Sequence, residues 1–99
     1  MNFYLRAKNT AIPCEIDADS LKYWLNRALG TAPDARANLA AFLPKNGRIG
    51  IIEAATAMRL VKVIGAFAME DDEADEKLTL AASKLFQACR NPPLTVSEK

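Results

Sequence analysis

Apolar residues occupy alternate positions over residues 3–7 and again over residues 12–16, and Asn9-Thr10 separates the two stretches. A period of two is the pattern of half-buried strands, and the short polar break favours a turn. The sequence therefore predicts an N-terminal β-hairpin. Pro13 has no N–H group to donate, so the second strand is expected to lie at a sheet edge or to be interrupted there.

After residue 16 the apolar spacing changes to three and four, which predicts helices. The polar cluster at 17–20 predicts a helix start with Asp19 or Ser20 as the N-cap residue, and Gly30 is a suitable residue after its end. A second helix is expected between Thr31 and Pro44. The expected inner faces of these two helices are Leu21, Trp24, Leu25, Ala28 and Leu29, then Ala35, Leu39, Phe42 and Leu43.

The run from Ile49 to Met69 carries only three charged residues and is otherwise apolar or small. We expect a turn at 45–48 and then a helix over Ile51–Met69, although 48–52 also fits a short strand. One apolar stripe on this helix comprises Ile51, Ala54, Met58, Val61, Ile64 and Ala68, and the other comprises Ile52, Leu60, Val63 and Phe67. Because a surface helix needs one apolar face, two stripes predict a central helix that is either wrapped by its own chain or shared with another. A chain of 99 residues has little material for wrapping, which favours the second.

Six of the seven residues over 70–76 are acidic. They are expected to close the long helix and open a last one, with Asp72 as its N-cap and the other acids favourable near its N-terminus. Asn91-Pro92-Pro93 is expected to end that helix, and 94–99 to be a mobile tail. The inner face of the last helix is predicted to be Leu78, Ala81, Ala82, Leu85, Phe86 and Cys89.

Together these patterns predict an α+β fold: an N-terminal hairpin followed by three to four helices around a central apolar helix. The alternative is an all-α bundle with an extended N-terminal arm. A chain of 99 residues fits one domain, which we place at 1–93.

Charge and cysteine content favour a cytoplasmic protein without a membrane span. The net charge is +1. We expect no secretory signal peptide, because the sequence does not open with a basic segment followed by an apolar one. Arg59 and Lys62 near the middle of the apolar run would each cost about 2.5–3.5 kcal/mol at a bilayer centre. The two cysteines, Cys14 and Cys89, lie far apart in sequence and as free thiols fit a reducing compartment, although a pairing of the two is compatible with the sequence.

The chain contains no histidine, which excludes Ser-His-Asp and Cys-His catalysis and the usual zinc sites. The strongest sign of chemistry is Asp71-Asp72-Glu73-Ala74-Asp75, which spells the DDxxD pattern that prenyl-diphosphate enzymes use to hold Mg²⁺. A second acidic motif is absent from the sequence. We therefore interpret the run as helix-capping acid, expect no cofactor, and keep Asp71, Asp72 and Asp75 as weak metal-ligand candidates.

Residues 1–62 hold nine Lys/Arg and five Asp/Glu, whereas 63–99 hold four and seven, so the two parts carry +4 and −3. Basic residues near the predicted hairpin and the 45–48 turn could contact a phosphate backbone. These candidates are Arg6, Lys8, Lys45 and Arg48. Nucleic-acid binding is therefore an alternative function, although the pI of about 7.7 is low for such a domain.

The favoured hypothesis is a small non-enzymatic interaction or regulatory module that forms a homodimer and binds a larger protein. Small residues on the long helix allow another backbone to approach closely. The predicted dimer interface comprises Ala54, Ala57, Met58, Val61, Gly65 and Ala68. A carboxylate-dependent, Mg²⁺-using enzyme acting on a phosphorylated small molecule is the second alternative.

Replacing Asp71 and Asp75 together with Asn tests the metal hypothesis. If the acids are structural, millimolar Mg²⁺ should leave the melting temperatures of the parent and the double variant equally unchanged. A metal site would instead stabilise the parent alone by mass action. Thermal denaturation with and without Mg²⁺ makes the comparison, and a rise of several degrees in the parent only would favour the enzyme.

Overall fold

The computed structural model describes residues 1–8, 12–30, 41–70 and 76–99, and the side chains of all of these except 68–70. Within them, four antiparallel strands form one sheet and three helices pack on it, so the α+β prediction is confirmed. The strand order is β2-β1-β4-β3. In chain order the elements are β1 (Asn2–Arg6), β2 (Cys14–Asp17), α1 (Ala18–Leu29), β3 (Gly50–Ile52), α2 (Ala54–Glu70), α3 (Glu76–Ala88) and β4 (Leu94–Glu98).

The predicted hairpin is present. Strands β1 and β2 are antiparallel, with Phe3 opposite Ile16 and Leu5 opposite Cys14. Phe3, Leu5 and Ile16 are buried, as the period of two requires. Strand β2 begins directly after Pro13 and lies at a sheet edge, while the predicted Asn9-Thr10 turn lies outside the described residues.

The C-terminal segment corrects a prediction. Residues 94–99 were expected to form a mobile tail, but Leu94–Glu98 forms β4, which pairs with β1 on one side and β3 on the other. Leu94 and Val96 are fully buried. The alternation of apolar and polar residues over this short segment is a strand pattern, and its partners lie far away in sequence.

Helix α1 follows β2 without a loop, and its N-cap is Asp17 rather than Asp19 or Ser20. The Asp17 carboxylate accepts a hydrogen bond from the Ser20 backbone N–H at 3.1 Å, which satisfies a free donor of the first turn. This bond is the largest cause of the lowered pKa of Asp17. The predicted inner face is confirmed at Leu21, Trp24 and Leu25, which are fully buried. The helix ends at Gly30, whose φ is 81°.

The long apolar run divides into two elements, which corrects the predicted start of its helix. Residues 50–52 form β3, and α2 begins at Ala54 rather than Ile51. The β-branched isoleucines before Glu53 pair with β4, which the sequence interpretation had assigned to a tail. Pairing with β4 therefore outweighed continuation of the helix.

Helix α2 buries one stripe, which combines Ile64 of the first predicted stripe and Leu60 of the second with Ala57, which belongs to neither. Ala57, Leu60 and Ile64 are buried, at the spacing of a single helix face. Met58 is 62% exposed, and Val61, Val63 and Phe67 pack partly against the core. One side of α2 is thus used by the chain's own core.

Helix α3 completes the core as predicted. Ala81, Ala82, Leu85 and Cys89 are buried, and Leu78 and Phe86 pack partly against them. The predicted cap Asp72 lies outside the described residues. The Leu78 carbonyl accepts a hydrogen bond from Trp24 Nε1 at 3.0 Å, which ties α3 to α1.

The predicted turn at 45–48 leads into a close contact at Gly50. Asn46 and Gly47 have φ of 52° and 81°, the left-handed values that a type I′ hairpin turn needs. A Cβ atom on Gly50 would lie 2.8 Å from the backbone nitrogen of Leu43, and closer still to the Phe42 carbonyl. Because backbone cannot yield as a flexible side chain can, Gly50 is required where residues 42 and 43 cross β3.

Two glycine-to-alanine variants should therefore have opposite effects on stability. Gly50→Ala should lower the free energy of unfolding by about 1–3 kcal/mol through overpacking. Gly65→Ala in α2 should raise it by about 0.5–1 kcal/mol, because no described atom lies within 4 Å of the added Cβ. Urea denaturation measures both, and equal effects would contradict the packing described at Gly50.

Candidate interaction site

The sheet has a covered inner face and an open outer face. The inner residues Phe3, Leu5, Ile52, Leu94 and Val96 are buried beneath the helices. The outer residues alternate with them and are half-buried or exposed. They are Asn2, Tyr4, Arg6, Glu15, Ile51, Thr95 and Ser97.

One corner of the outer face holds a polar network around Glu15. Its carboxylate accepts hydrogen bonds from Asn2 Nδ2 at 3.0 Å and from the Lys99 ammonium. These bonds lower the pKa of Glu15, with the Asn2 bond as the largest cause, and the bond to Glu15 raises the pKa of Lys99. The network links β2, β1 and the residue after β4. The Glu15 carboxylate and the Lys99 ammonium therefore already have hydrogen-bond partners within the chain.

Hydrogen bonds at the sheet ends establish which backbone groups face each edge. The Ala18 N–H donates to the Met1 carbonyl, and the Lys99 N–H donates to the Asn2 carbonyl, at 3.0 and 3.3 Å. Antiparallel pairs alternate between hydrogen-bonded and non-hydrogen-bonded. Continuing this alternation along β1, the backbone of Glu15 points away from β1, toward the free edge of β2.

The same alternation carries across β4 to β3. The backbone groups of Thr95 and Ser97 form hydrogen bonds with β1. The backbone groups of Leu94 and Val96 therefore point the other way and form hydrogen bonds with β3, to Ile52 and Gly50 respectively. The N–H and C=O groups of Ile51 consequently point away from β4. No described strand pairs with β3 on that side.

The edge of β2 is protected. The Lys84 ammonium of α3 donates to the Glu15 carbonyl at 2.7 Å, and Pro13 precedes the strand. A lysine and a proline at an edge oppose the addition of another strand. Lys84 also lines both of the shallow grooves, of about 450 and 270 Å³, that run between β2 and α3.

Among the residues that the structure describes, the edge of β3 is apolar and no strand pairs with it. Ile49 and Ile51 are 60% and 50% exposed, and the nearest charged residues along the chain are Arg48 before the strand and Glu53 after it. An unpaired strand edge with exposed β-branched side chains is a template for pairing with another strand. We identify this edge, residues 49–52, as the candidate interaction site and call it the β3 edge.

The dimer interface predicted on α2 is divided by the fold. Ala54 and Met58 are exposed and Val61 and Gly65 are half-buried, whereas Ala57 is fully buried in the chain's own core. The side chain of Ala68 lies outside the described residues. The sequence pattern does not identify Ile49 and Ile51 as surface residues, because it favours a helix that begins at Ile51; the strand alternative for 48–52 is the signal that points to them.

The basic residues proposed for nucleic-acid contact form two separate pairs. Strands β1 and β3 are both antiparallel to β4 and run in the same direction. Arg6 ends β1 and Lys8 follows it, whereas Arg48 precedes β3 and forms a reciprocal backbone bridge with Lys45. The two pairs therefore lie at opposite ends of the sheet, and one copy of the chain does not join them into a patch.

The remaining candidates, the predicted metal ligands and the two cysteines, do not form a metal or catalytic site within the described residues. Asp71, Asp72 and Asp75 lie outside the described residues, and within the described ranges no three Cys, Asp or Glu side chains group as metal ligands. Cys14 and Cys89 are both free thiols, so the structure does not pair them. Burial raises the pKa of Cys89 to about 12, which leaves its thiol protonated at neutral pH.

Comparisons with protein-family models, with curated proteins and with solved structures find no match. Among the helices of the described ranges, none has the length and apolar character needed to cross a bilayer.

Protection of the β2 edge can be tested at Lys84. Lys84→Met keeps most of the apolar stem but removes the ammonium, so it should lower stability by about 1 kcal/mol and speed aggregation near the melting temperature. Lys22→Met, at an exposed position on α1, is the matched control. Thermal denaturation followed by light scattering compares them, and identical behaviour of both variants would contradict a protective role for Lys84.

Proposed function

We propose that this chain is a non-enzymatic protein-interaction module that binds its partner by strand addition at the β3 edge. The observation that carries the proposal is the contrast between the two sheet edges. Lys84 and Pro13 protect β2, whereas no described strand pairs with β3 on its side away from β4, where two isoleucines are exposed. Natural sheets protect edges that are not used, so an open apolar edge favours a contact surface.

The chemistry of such a contact follows from the geometry of β3. The Ile51 N–H and C=O supply main-chain hydrogen bonds, each worth about 0.5–1.5 kcal/mol net. The isoleucine side chains supply apolar area, at about 25 cal/mol for each Å² buried. Main-chain bonds give affinity and alternate side chains give selectivity in this type of recognition.

A regulatory role and self-association belong to the same proposal, as does a cytoplasmic location, which free cysteines favour. Self-association could use either the β3 edge or the exposed side of α2 around Met58. The two surfaces can be distinguished by mutation. A charge at Ile51 would interrupt only a contact through the β3 edge, and a charge at Met58 only a contact through α2.

Two variants of similar exposure test the proposed function. Ile51→Lys should abolish the capture of proteins from the native host that pair with this edge, native copies of this chain included, because it places a charge on the apolar edge. Met58→Lys, at a position 62% exposed, should leave binding unchanged. Affinity capture with quantitative mass spectrometry measures both, with circular dichroism to verify the fold. Equal binding by the parent and Ile51→Lys would count against the proposal.

A further inference from the structure

We infer that the occupant of the β3 edge is a second copy of this chain, which pairs antiparallel about Gly50 and joins two four-stranded sheets into one of eight strands. This inference rests on the proposed function and names its partner. In this register, Ile49 of each copy faces Ile51 of the other, and Gly50 faces Gly50. The two copies are related by a two-fold axis through the Gly50 pair.

The backbone of β3 is arranged for this register. The N–H and C=O of Ile51 point to the free edge, and Ile49, two residues earlier, has the same strand parity. Each Ile49–Ile51 pair can therefore exchange two hydrogen bonds between the copies. Gly50 then forms the intervening non-hydrogen-bonded pair, in which strands come closest, at a Cα separation of about 4.5 Å.

The side chains are self-complementary on the outer face. Ile49 and Ile51 are both largely exposed in one copy, and the register places each against an isoleucine of the other. Directly opposed β-branched residues stabilise antiparallel pairs. Dimerisation would thus cover the two most exposed apolar side chains of the β3 edge with each other.

Charges at the two ends of β3 favour an antiparallel arrangement. Arg48 and Lys45 lie before the strand, and Glu53 lies after it. In an antiparallel pair, the basic end of one copy lies beside the acidic end of the other. A parallel pair would place like charges together at both ends, which is unfavourable.

Neighbouring registers lose these matches. A shift by one residue would place the inner face of one sheet beside the outer face of the other. With Ile51 facing Ile51, Ile49 would lie opposite the Glu53 carboxylate. With Ile49 facing Ile49, Ile51 would lie opposite Gly47. Only the register centred on Gly50 matches every exposed isoleucine with another isoleucine.

Disulfide trapping reads the register directly. Ile49→Cys and Ile51→Cys are prepared separately in a Cys14→Ser background, in which Cys89 is buried, and are oxidised alone and as an equal mixture. The expected register forms a cross-linked dimer in the mixture only, because facing Cα atoms about 5.5 Å apart suit a disulfide. Cross-linking of either single variant alone at a comparable yield would indicate another register and overturn the inference.

Sedimentation at ~100 µM tests whether a second copy of the chain occupies the β3 edge. The parent and Met58→Lys should sediment as dimers, and Ile51→Lys as a folded monomer with at least a tenfold weaker association. A monomeric parent, or loss of the dimer in Met58→Lys rather than Ile51→Lys, would overturn the inference. If the parent is monomeric but Ile51→Lys still loses a host partner, only the second copy is wrong. If Ile51→Lys changes neither dimerisation nor the binding of a host partner, the proposed function fails as well.

Discussion

Strand β4 makes the pairings on which the rest of the sheet depends. It pairs antiparallel with β1 through four residue pairs and with β3 through three. Without it, the N-terminal hairpin would be a two-stranded ribbon, which is marginal alone, and β3 would have no partner in the sheet. Leu94 and Val96 add two fully buried side chains to the core. The ladder therefore joins residues from both ends of the chain, as in the pairing of Phe3 with Glu98.

The helices are held against this sheet around Trp24. Its ring is fully buried and lies edge-to-face with Phe67 of α2, with centroids 5.0 Å apart. Its indole N–H donates to Leu78 of α3, so one α1 residue contacts both other helices. An aromatic pair with a satisfied N–H uses a large apolar surface without leaving a buried donor unpaired. This packing explains why α2 uses one face internally and leaves Met58 in solvent.

The proposed function follows from how the two sheet edges differ. The β2 edge is protected by a lysine from α3 and by a proline, while the β3 edge carries two exposed isoleucines and pairs with no strand of the described ranges on its side away from β4. The approach of residues 42 and 43 to Gly50 fixes the inner side of β3, which leaves its outer side and edge for contact. A strand that is already extended and paired with β4 loses little conformational entropy on pairing with another strand, which favours association.

Local patterns in the sequence determined the hairpin, the inner faces of α1 and α3, the 45–48 turn and the α+β class, because each depends on neighbouring residues and on a period of two or 3.6. They did not determine β4, the start of α2 or the open edge. Leu94–Glu98 and Gly50–Ile52 are too short for periodicity to decide between strand, helix and tail. Each became a strand through the other and through β1, in pairings that span more than 40 residues. The exposure of Ile51 is likewise a tertiary result, because whether an isoleucine lies in the core or at a free edge depends on which strands lie beside it.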